Sequence, residues 1–401
     1  MLRFKKNNAT DFPNLEETTL GEVCNKIGDG LHSAPTYDVD GEYYFINGNN
    51  LKNGTIIITS DTKKVSKETF LKNDKGLDGH TILLSINGTI GNLAYYKNEN
   101  VMLGKSAAYL KIKKSVDKEY IYQLLQTRKV KTSFLLSLTG TTIKNLGLEA
   151  INKTHIFIPV LEEQHKIADF LSSVDEIIRV QEEEITVLEE QKKGIMQKLF
   201  NCEVRFKADD GSEYPEWEER KWGSIGQFFK SGNLSKSDLS EEGTPCILYG
   251  ELYTKYNEIA DTIYSKTNVP CEVVSEKGDV IIPKSGETPE DISTASCIPY
   301  DGVALGGDLI IFRSNCILGT YLSYLISNKK KWEIAKIAQG KSIVHINEKS
   351  LAKIDIEFPC IAEQQKIVDC LSAYNEAIQV KKDKLEVWKE IKKGLLQQMF
   401  V

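Results

Sequence analysis

The sequence has few of the residues from which metal and redox sites are built. It contains five histidines, at positions 32, 80, 155, 165 and 345, and no two of them have the H-x-x-x-H spacing that places two ligands on one helix face. Its eight cysteines include no C-x-x-C pair, and scattered cysteines of this kind are typical of reduced, mostly buried thiols. We therefore expect neither a metal site nor disulfides.

Nucleotide-binding motifs are also missing. The tripeptide G-K-S at 104–106 and again at 340–342 resembles the end of a phosphate-binding loop, but Glu99 and Ala335 stand where that loop requires a glycine. The sequence contains no G-x-G-x-x-G dinucleotide fingerprint and no N-P-P-[FY] methyltransferase motif. We therefore expect no catalytic residues and no cofactor-binding residues in this chain.

Long apolar runs are absent as well. No run approaches the roughly 18 residues that a membrane-spanning helix requires. Residues 1–5 lead directly into polar sequence without a signal-peptide pattern, so we expect a cytoplasmic protein with no membrane partner. The net charge of −6 is unfavourable for a chain that binds nucleic acid alone, so contact with DNA would call for a more basic partner.

The most informative feature that is present is a repeat. Residues 159–200 and 359–400 align without gaps at an offset of 200, and 18 of the 42 aligned residues are identical. Apolar residues recur alternately four and three positions apart, from Ile167 to Leu199 and from Ile367 to Met399. This spacing predicts a long helix in each copy that supercoils against a partner helix. Two unrelated surface helices would each carry an apolar stripe, but a gapless repeat indicates a shared structural role.

Charged residues beside the two apolar seams predict how the helices pair. Polar residues interrupt the seams at Gln181, Lys192, Lys381 and Lys392. Next to the first interruption, one helix carries Glu182 and Glu184 and the other carries Lys382 and Lys384. If the helices run antiparallel about a pseudo-two-fold axis, Glu182 approaches Lys382 and Glu184 approaches Lys384. Exposed pairs of this kind select the partner and the register more than they add stability.

The segments before each helix form the second half of the repeat. The tripeptide R-F-K at 3–5 recurs at 205–207, so the chain consists of two tandem units, each a globular region followed by a long helix. Alternating β-branched and aromatic runs between Gly and Asn turns predict strands at 43–46, 55–59, 81–86, 107–112, 155–158, 246–249, 279–282, 309–312 and 354–358. Helical spacing predicts one helix at 118–136 and another at 319–338. The predicted fold class is α+β, with two mixed α/β regions joined by two long antiparallel coiled-coil helices.

Polar clusters on the predicted loops are the candidate DNA-binding residues. Amide, hydroxyl and lysine side chains on exposed loops suit base edges and phosphates, although the same residue types also stabilise their own turns. In the first region the candidates are Asn47, Asn49, Asn50, Ser85, Asn87, Thr89, Lys105, Thr141, Thr142 and Lys144. In the second region they are Tyr249, Tyr253, Lys284, Ser285, Thr288, Lys341, Ser342 and His345.

Taken together, these motifs resemble the specificity subunits of type I restriction-modification systems. The resemblance covers the whole chain, and its carriers are the doubled P-x-x-x-E-Q-x-K-I-x-D-x-L-S run at 159–172 and 359–372 and the doubled K-K-G-[IL]-x-Q-x-[LM]-F run at 192–200 and 392–400. The family assignment implies a first target-recognition domain at 1–158 and a second at 201–358. It also implies a central conserved helical region at 159–200 and a C-terminal one at 359–401.

The resemblance also implies a function. Each recognition domain would read half of an asymmetric, split site in double-stranded DNA, and the helices would bind two methyltransferase subunits, with motor-nuclease subunits in the full complex. S-adenosylmethionine, ATP and Mg²⁺ would then belong to those partners, because a specificity subunit has no catalytic function. A coiled-coil scaffold that does not bind DNA, or a recognition subunit of another DNA-modifying system, remains an alternative.

Overall fold

The computed structural model describes residues 2–140, 144–340 and 342–400. The chain forms two compact units, and each unit contains parts of both long helices. The first unit comprises Met1–Glu183 and Lys382–Val401, and the second comprises Glu184–Lys381. The candidates Thr141, Thr142 and Lys341 lie outside the described residues.

The first unit is built on a four-stranded antiparallel sheet. Its strands are, in spatial order, Cys24–Asp29, Ala107–Ile112, Thr81–Ser85 and Leu93–Tyr95. A smaller sheet of Lys64–Val65, Tyr43–Ile46 and Val101–Leu103 includes one parallel pair, Tyr43–Ile46 with Val101–Leu103. Two-stranded pairings join Glu16–Thr19 to His155–Ile158, Leu138–Thr139 to Asn145–Leu146, and Leu51–Lys52 to Thr55–Ile56.

The second unit repeats this plan. Its main antiparallel sheet has the order Gln227–Lys230, Leu309–Arg313, Asp279–Pro283 and Ser296–Ile298. Its second sheet has the order Leu239–Ser240, Ser265–Thr267, Thr244–Ile247 and Ala304–Leu305, and the last pair is parallel. Two-stranded pairings join Glu218–Lys221 to Asp355–Phe358 and Ser285–Gly286 to Val344–His345.

The central strand of each main sheet carries apolar residues on both faces, because its side chains point alternately into two different cores. Along Thr81–Ser85, Ile82 and Leu84 enter a core shared with the helices, whereas Leu83 enters the core beneath the smaller sheet. Successive strand residues point to opposite faces, so a sheet that is covered on both sides needs apolar residues at every position. The equivalent strand Asp279–Pro283 divides its residues in the same way.

Each helix predicted within a globular region is in fact two helices. In the first unit, Lys118–Leu125 and Arg128–Leu136 are separated at Thr127, whose hydroxyl accepts a hydrogen bond from the Val130 amide as an N-cap. In the second unit, the break falls between Gly319–Ser327 and Lys331–Ile337. The periodicity of apolar residues does not reveal such a break, because the apolar spacing continues across it.

Shorter helices complete the two units. The remaining α-helices are Leu20–Val23, Lys67–Asn73, Leu148–Asn152 and Glu348–Leu351. Single 3₁₀ turns are found at Gly48–Asn50, Trp222–Ser224, Lys236–Asp238, Tyr249–Glu251 and Asp291–Ser293.

The two repeats at 159–200 and 359–400 form long helices, as predicted. The central helix is Leu161–Phe200 and the terminal helix is Ile361–Met399. In the first unit, Ile167 and Leu171 of the central helix share a buried cluster with Leu396 and Met399 of the terminal helix. The start of one helix segment therefore lies beside the end of the other, which is the antiparallel arrangement.

The second unit shows the same antiparallel packing with the helices exchanged. Here Leu199 and Phe200, at the end of the central helix, share a buried cluster with Ile367 and Leu371 near the start of the terminal helix. Phe200 also contacts Tyr321 of the globular region, with ring centroids 5.6 Å apart. The helices are thus part of the core of each unit.

The doubled E-Q-x-K motif holds the start of each unit against its helix. Glu163 is buried and accepts hydrogen bonds from the Arg3 guanidinium, which also donates to the Pro13 carbonyl at 2.6 Å. In the second unit, Arg205 donates to the buried Glu363 at 3.1 and 2.8 Å. The repeat of R-F-K and E-Q-x-K in the sequence therefore reflects a repeated buried ion pair.

Candidate nucleic-acid interface

Three of the candidate loops of the first unit meet at one end of its main sheet. Asn87 and Asn145 form an antiparallel backbone bridge, and the Leu146 amide donates to the Ile86 carbonyl at 2.9 Å. The Asn87 side-chain amide lies 3.5 Å from the Lys105 carbonyl oxygen. These loops border a groove of about 300 Å³ whose lining comprises Asp29, His32, Ile86, Asn87, Lys105, Asn145, Leu146, Gly147 and Leu148.

Hydrogen bonds from the asparagine side chains and the backbone of the loop at 47–50 hold this loop beside the groove. The Ser106 hydroxyl donates to Asn47 Oδ1 at 2.8 Å and accepts from the Gly48 amide at 3.0 Å. Asn50 donates from Nδ2 to the Ile57 carbonyl at 2.9 Å. The Asn47 and Asn50 side chains therefore shape the loop, whereas Asn49 at its tip is exposed.

Ser85 is a structural residue rather than a surface contact. It is fully buried, its hydroxyl donates to the Thr89 carbonyl, and it accepts from the Asn92 amide at 2.9 Å. Its single O–H donor is used within the loop, and its burial keeps the remaining acceptor lone pair out of reach of a base edge. Of the first cluster at 85–89, Asn87 is half-buried and Thr89 is exposed.

The second unit brings its equivalent loops together in the same way. Ser285 and His345 are paired in a two-stranded ladder, and the Ser285 hydroxyl lies 2.9 Å from His345 Nδ1. Ser285 is buried, whereas His345 is exposed and presents the rest of its ring to solvent. Thr288 accepts a hydrogen bond from the Asp291 amide at 3.2 Å, so this exposed hydroxyl also stabilises its own turn.

A larger cleft lies beside this ladder. Its volume is about 900 Å³, three times that of the first unit's groove. The polar side chains that line it include Lys230, Ser231, Asn233, Ser235, Lys236, Tyr249, Glu251, Lys255, Lys284, Asp308 and Glu348.

Internal ion pairs engage two of the four lysines of this cleft. Lys284 lies 3.5 Å from Glu348, and Lys255 lies 2.7 Å from the buried Glu251. Among the described residues, neither Lys230 nor Lys236 forms an ion pair. These two lysines therefore supply the positive charge that an anionic ligand would meet.

The aromatic residues of the cleft region differ in exposure. Tyr249 is 36% exposed, so its ring is available for stacking. Tyr253 is half-buried, and burial raises the pKa of its hydroxyl, which keeps it a neutral donor at neutral pH. The exposed set of sequence candidates is Asn49, Thr89, Lys105, Lys144, Tyr249, Thr288, Ser342 and His345.

Lys230 and Lys236 are not among the residues predicted from the sequence to contact DNA. They end and follow the edge strand Gln227–Lys230, in the segment K-S-G-N-L-S-K at 230–236. Two lysines around a Gly, Asn and Ser turn are a recognisable signal for an anion-binding loop. This signal does not appear when the two repeats are aligned, because the first unit has no such segment at the equivalent place.

Glu184 and Glu182 of the predicted helix-pairing set form ion pairs between the helices, each with a lysine other than the predicted one. Glu184 lies 2.7 Å from Lys381 in the second unit, and Glu182 lies 3.5 Å from Lys389 in the first. The specific pairs of Glu182 with Lys382 and of Glu184 with Lys384 remain predictions. Lys382 and Lys384 are exposed.

Residues 2–140, 144–340 and 342–400 contain neither a cluster of metal-ligating side chains nor a helix suited to a membrane. No group of three or more His, Cys, Asp or Glu side chains among these residues is arranged to hold a metal ion. Within the same ranges, no helix is long and apolar enough to span a membrane.

Comparison with known proteins places these features in a family. The family model described as the type I restriction modification DNA specificity domain matches residues 14–190 and again residues 214–389. The chain therefore belongs to the type I restriction-modification specificity family, and it contains that domain twice.

Individual relatives agree with this assignment. The putative type I restriction enzyme MjaX specificity subunit of Methanocaldococcus jannaschii is 27% identical over 418 aligned positions, which cover 98% of this chain and 94% of the relative. The type I restriction enzyme MjaVIII specificity subunit of the same organism is 26% identical and covers 90% of this chain and 85% of its own length. The crystal structure of the type I restriction-modification S subunit from M. genitalium superposes with a TM-score of 0.59 at 18% identity, covering 100% of this chain and 99% of that one. The fold is therefore shared over the full length.

Proposed function

We propose that the chain is the DNA-recognition subunit of a type I restriction-modification complex and that each unit reads one half of a split, asymmetric site in double-stranded DNA. The observation that carries this proposal is the repeated loop arrangement with different side chains. In both units the loop after the central strand pairs with the loop before the last strand, through Asn87 and Asn145 in one and Ser285 and His345 in the other. Two units that share a backbone arrangement but differ in their loop side chains are suited to binding two different DNA sequences.

The chemistry of the two surfaces fits base and phosphate contacts. Exposed amides such as Asn49 can form paired hydrogen bonds with adenine, and lysines such as Lys236 can contact phosphates. The surrounding clefts are polar and open, and within the described part of the chain Lys230 and Lys236 of the second unit's cleft form no internal ion pair. DNA specificity then follows from the particular loop residues of each unit.

The long helices present a surface for methyltransferase subunits. In the first unit Val180 is 37% and Val387 is 58% exposed, and in the second unit Val187 is 49% and Val380 is 65% exposed. All four occupy heptad position c, on the outer face of the helix pair, where a solvated helix normally carries polar residues. One exposed valine from each helix in each unit suits two copies of one partner.

Catalysis belongs to the partners in this proposal. The methyltransferase subunits supply S-adenosylmethionine chemistry, and motor-nuclease subunits in the full complex supply ATP- and Mg²⁺-dependent steps. This chain contributes recognition and assembly.

Site-specific photo-cross-linking tests the DNA face. A photoreactive phenylalanine analogue at Asn49 or Tyr249, in the chain co-expressed with its methyltransferase, is expected to cross-link to DNA that contains the site. The same analogue at Leu71 and Tyr264, which are 63% and 58% exposed and belong to none of the candidate loops beside the two clefts, serves as the control. Equal cross-linking at all four positions, or none at Asn49 and Tyr249 in a complex that methylates DNA, would contradict the assignment of this face.

A further inference from the structure

A half-buried polar node joins the helices to the globular region in the first unit, where Asp175 is 33% exposed. Lys392 of the terminal helix is 14% exposed and lies 2.6 Å from Asp175 of the central helix. Its ammonium also donates to Gln126 Oε1 at 2.9 Å, and Gln123 donates to the other Asp175 oxygen at 2.6 Å. Both glutamines belong to the globular region, so this node links three segments.

The second unit has a node at the repeat-equivalent lysine. Lys192 of the central helix is 15% exposed and lies 3.3 Å from Glu258 Oε2, which is 13% exposed. Asn328 donates to the other Glu258 oxygen at 3.4 Å. The Lys192 ammonium also lies 5.3 Å from the centre of the Tyr324 ring, whose hydroxyl accepts from Asn375 at 2.7 Å.

The two nodes differ in the origin of the carboxylate. In the first unit the ion pair connects the two helices, and the globular region is attached by the neutral Gln123 and Gln126. In the second unit Glu258 belongs to the globular region, so the ion pair itself crosses from helix to region. The first node also borders an open cleft of about 420 Å³, lined in part by Gln126, Asp175 and Lys392.

We propose that Lys392 and Lys192 are positioning residues that hold each globular region at a fixed angle on its helix segments, and that the second unit depends on its lysine far more than the first. These lysines occupy seam positions where an apolar residue would pack the coiled coil better. A charge that is largely shielded from water is destabilised when it loses its partner, so each ion pair favours the one arrangement in which it can form. This inference rests on the proposed reading of a split DNA site, because it assigns a role within that function.

Matched glutamine variants test the difference between the nodes. In the assembled methyltransferase complex, the readout is the methylation rate on the cognate split site divided by the rate on a site whose spacer is one base pair longer. Lys192→Gln is expected to lower this ratio at least about tenfold, because a region that can rock on its helices accepts half-sites at more than one separation. Lys392→Gln is expected to lower it less than about threefold, because the ion pair lost there joins the two helices to each other, whereas the pair lost with Lys192 joins a helix to the globular region.

A double variant separates positioning from stability. Lys192→Met combined with Glu258→Leu removes the pair without leaving a buried charge, so the unfolding temperature is expected to return towards that of the original chain. Spacer discrimination should nevertheless stay reduced. Full discrimination in this double variant, or equal losses for Lys192→Gln and Lys392→Gln, would overturn the proposal. If the unaltered complex methylates no split site, the proposed function fails, and that outcome is distinct from failure of the positioning role.

Discussion

The buried pair of Arg3 and Glu163 allows a prediction whose size follows from the structure. The Glu163 side chain is 1% exposed and that of Arg3 is 23% exposed. Replacing Arg3 with Met would leave a carboxylate in the core with no cationic partner, and such a loss costs about 3–5 kcal/mol. At about 2–4 °C per kcal/mol for a unit of this size, the first unit should unfold about 6–20 °C earlier.

Calorimetry of three variants provides the assay. Arg3→Met should lower the unfolding temperature of one transition, and the double variant Arg3→Met with Glu163→Leu should recover most of the loss, because no unpaired charge remains. Glu68→Ala is the control, since Glu68 and Lys72 form an ion pair whose side chains are 79% and 71% exposed, and no measurable shift is expected. A shift below about 3 °C for Arg3→Met, or a double variant as unstable as the single one, would refute the reasoning.

Three further predictions concern other parts of the chain. Lys230→Gln and Lys236→Gln should each reduce the slope of log affinity against log salt by about 1 without changing the methylated sequence, as measured by DNA titrations of the methyltransferase complex; unchanged slopes for both variants would exclude phosphate contacts there. Val180→Asp with Val387→Asp should prevent co-purification of one of two methyltransferase copies while leaving the fold intact by circular dichroism, and full occupancy would remove the helix surface from the proposal. Burial raises the pKa of Cys24 to about 12 and that of Cys297 to about 11, so both should remain protonated and resist alkylation at pH 8, whereas the exposed Cys202 should react; peptide mass mapping that shows rapid labelling of Cys24 would contradict its burial.

Some of the architecture could be predicted because repetition and periodicity are properties of the sequence itself. The regular apolar spacing along 159–200, for example from Ile167 to Leu171, and its gapless copy at 359–400 predicted two long antiparallel helices. Strands such as Ala107–Ile112 and His155–Ile158 have the predicted bounds. The helix breaks at Thr127 and Asn328 were not predicted. Capping residues end one helix and start the next at these points, while the apolar pattern continues unchanged across them.

The candidate site was less predictable, because a polar residue type does not reveal which partner satisfies it. Ser85 and Asn47 have the chemistry of DNA contacts, yet their hydrogen bonds are used within their own loops. Lys230 and Lys236 became candidates only when folding placed them on one cleft with Tyr249. The distribution of ion pairs decides which lysines stay available, and that distribution depends on tertiary contacts that no local pattern encodes.

The central claim is that each unit reads its own half of the DNA site. The most direct measurement maps methylated adenines in DNA exposed to the methyltransferase complex before and after residues 15–158 are exchanged for the corresponding region of a family member with a different site. One half of the methylated sequence should change, and the other half should be retained. Changes in both halves, or in neither, would contradict it.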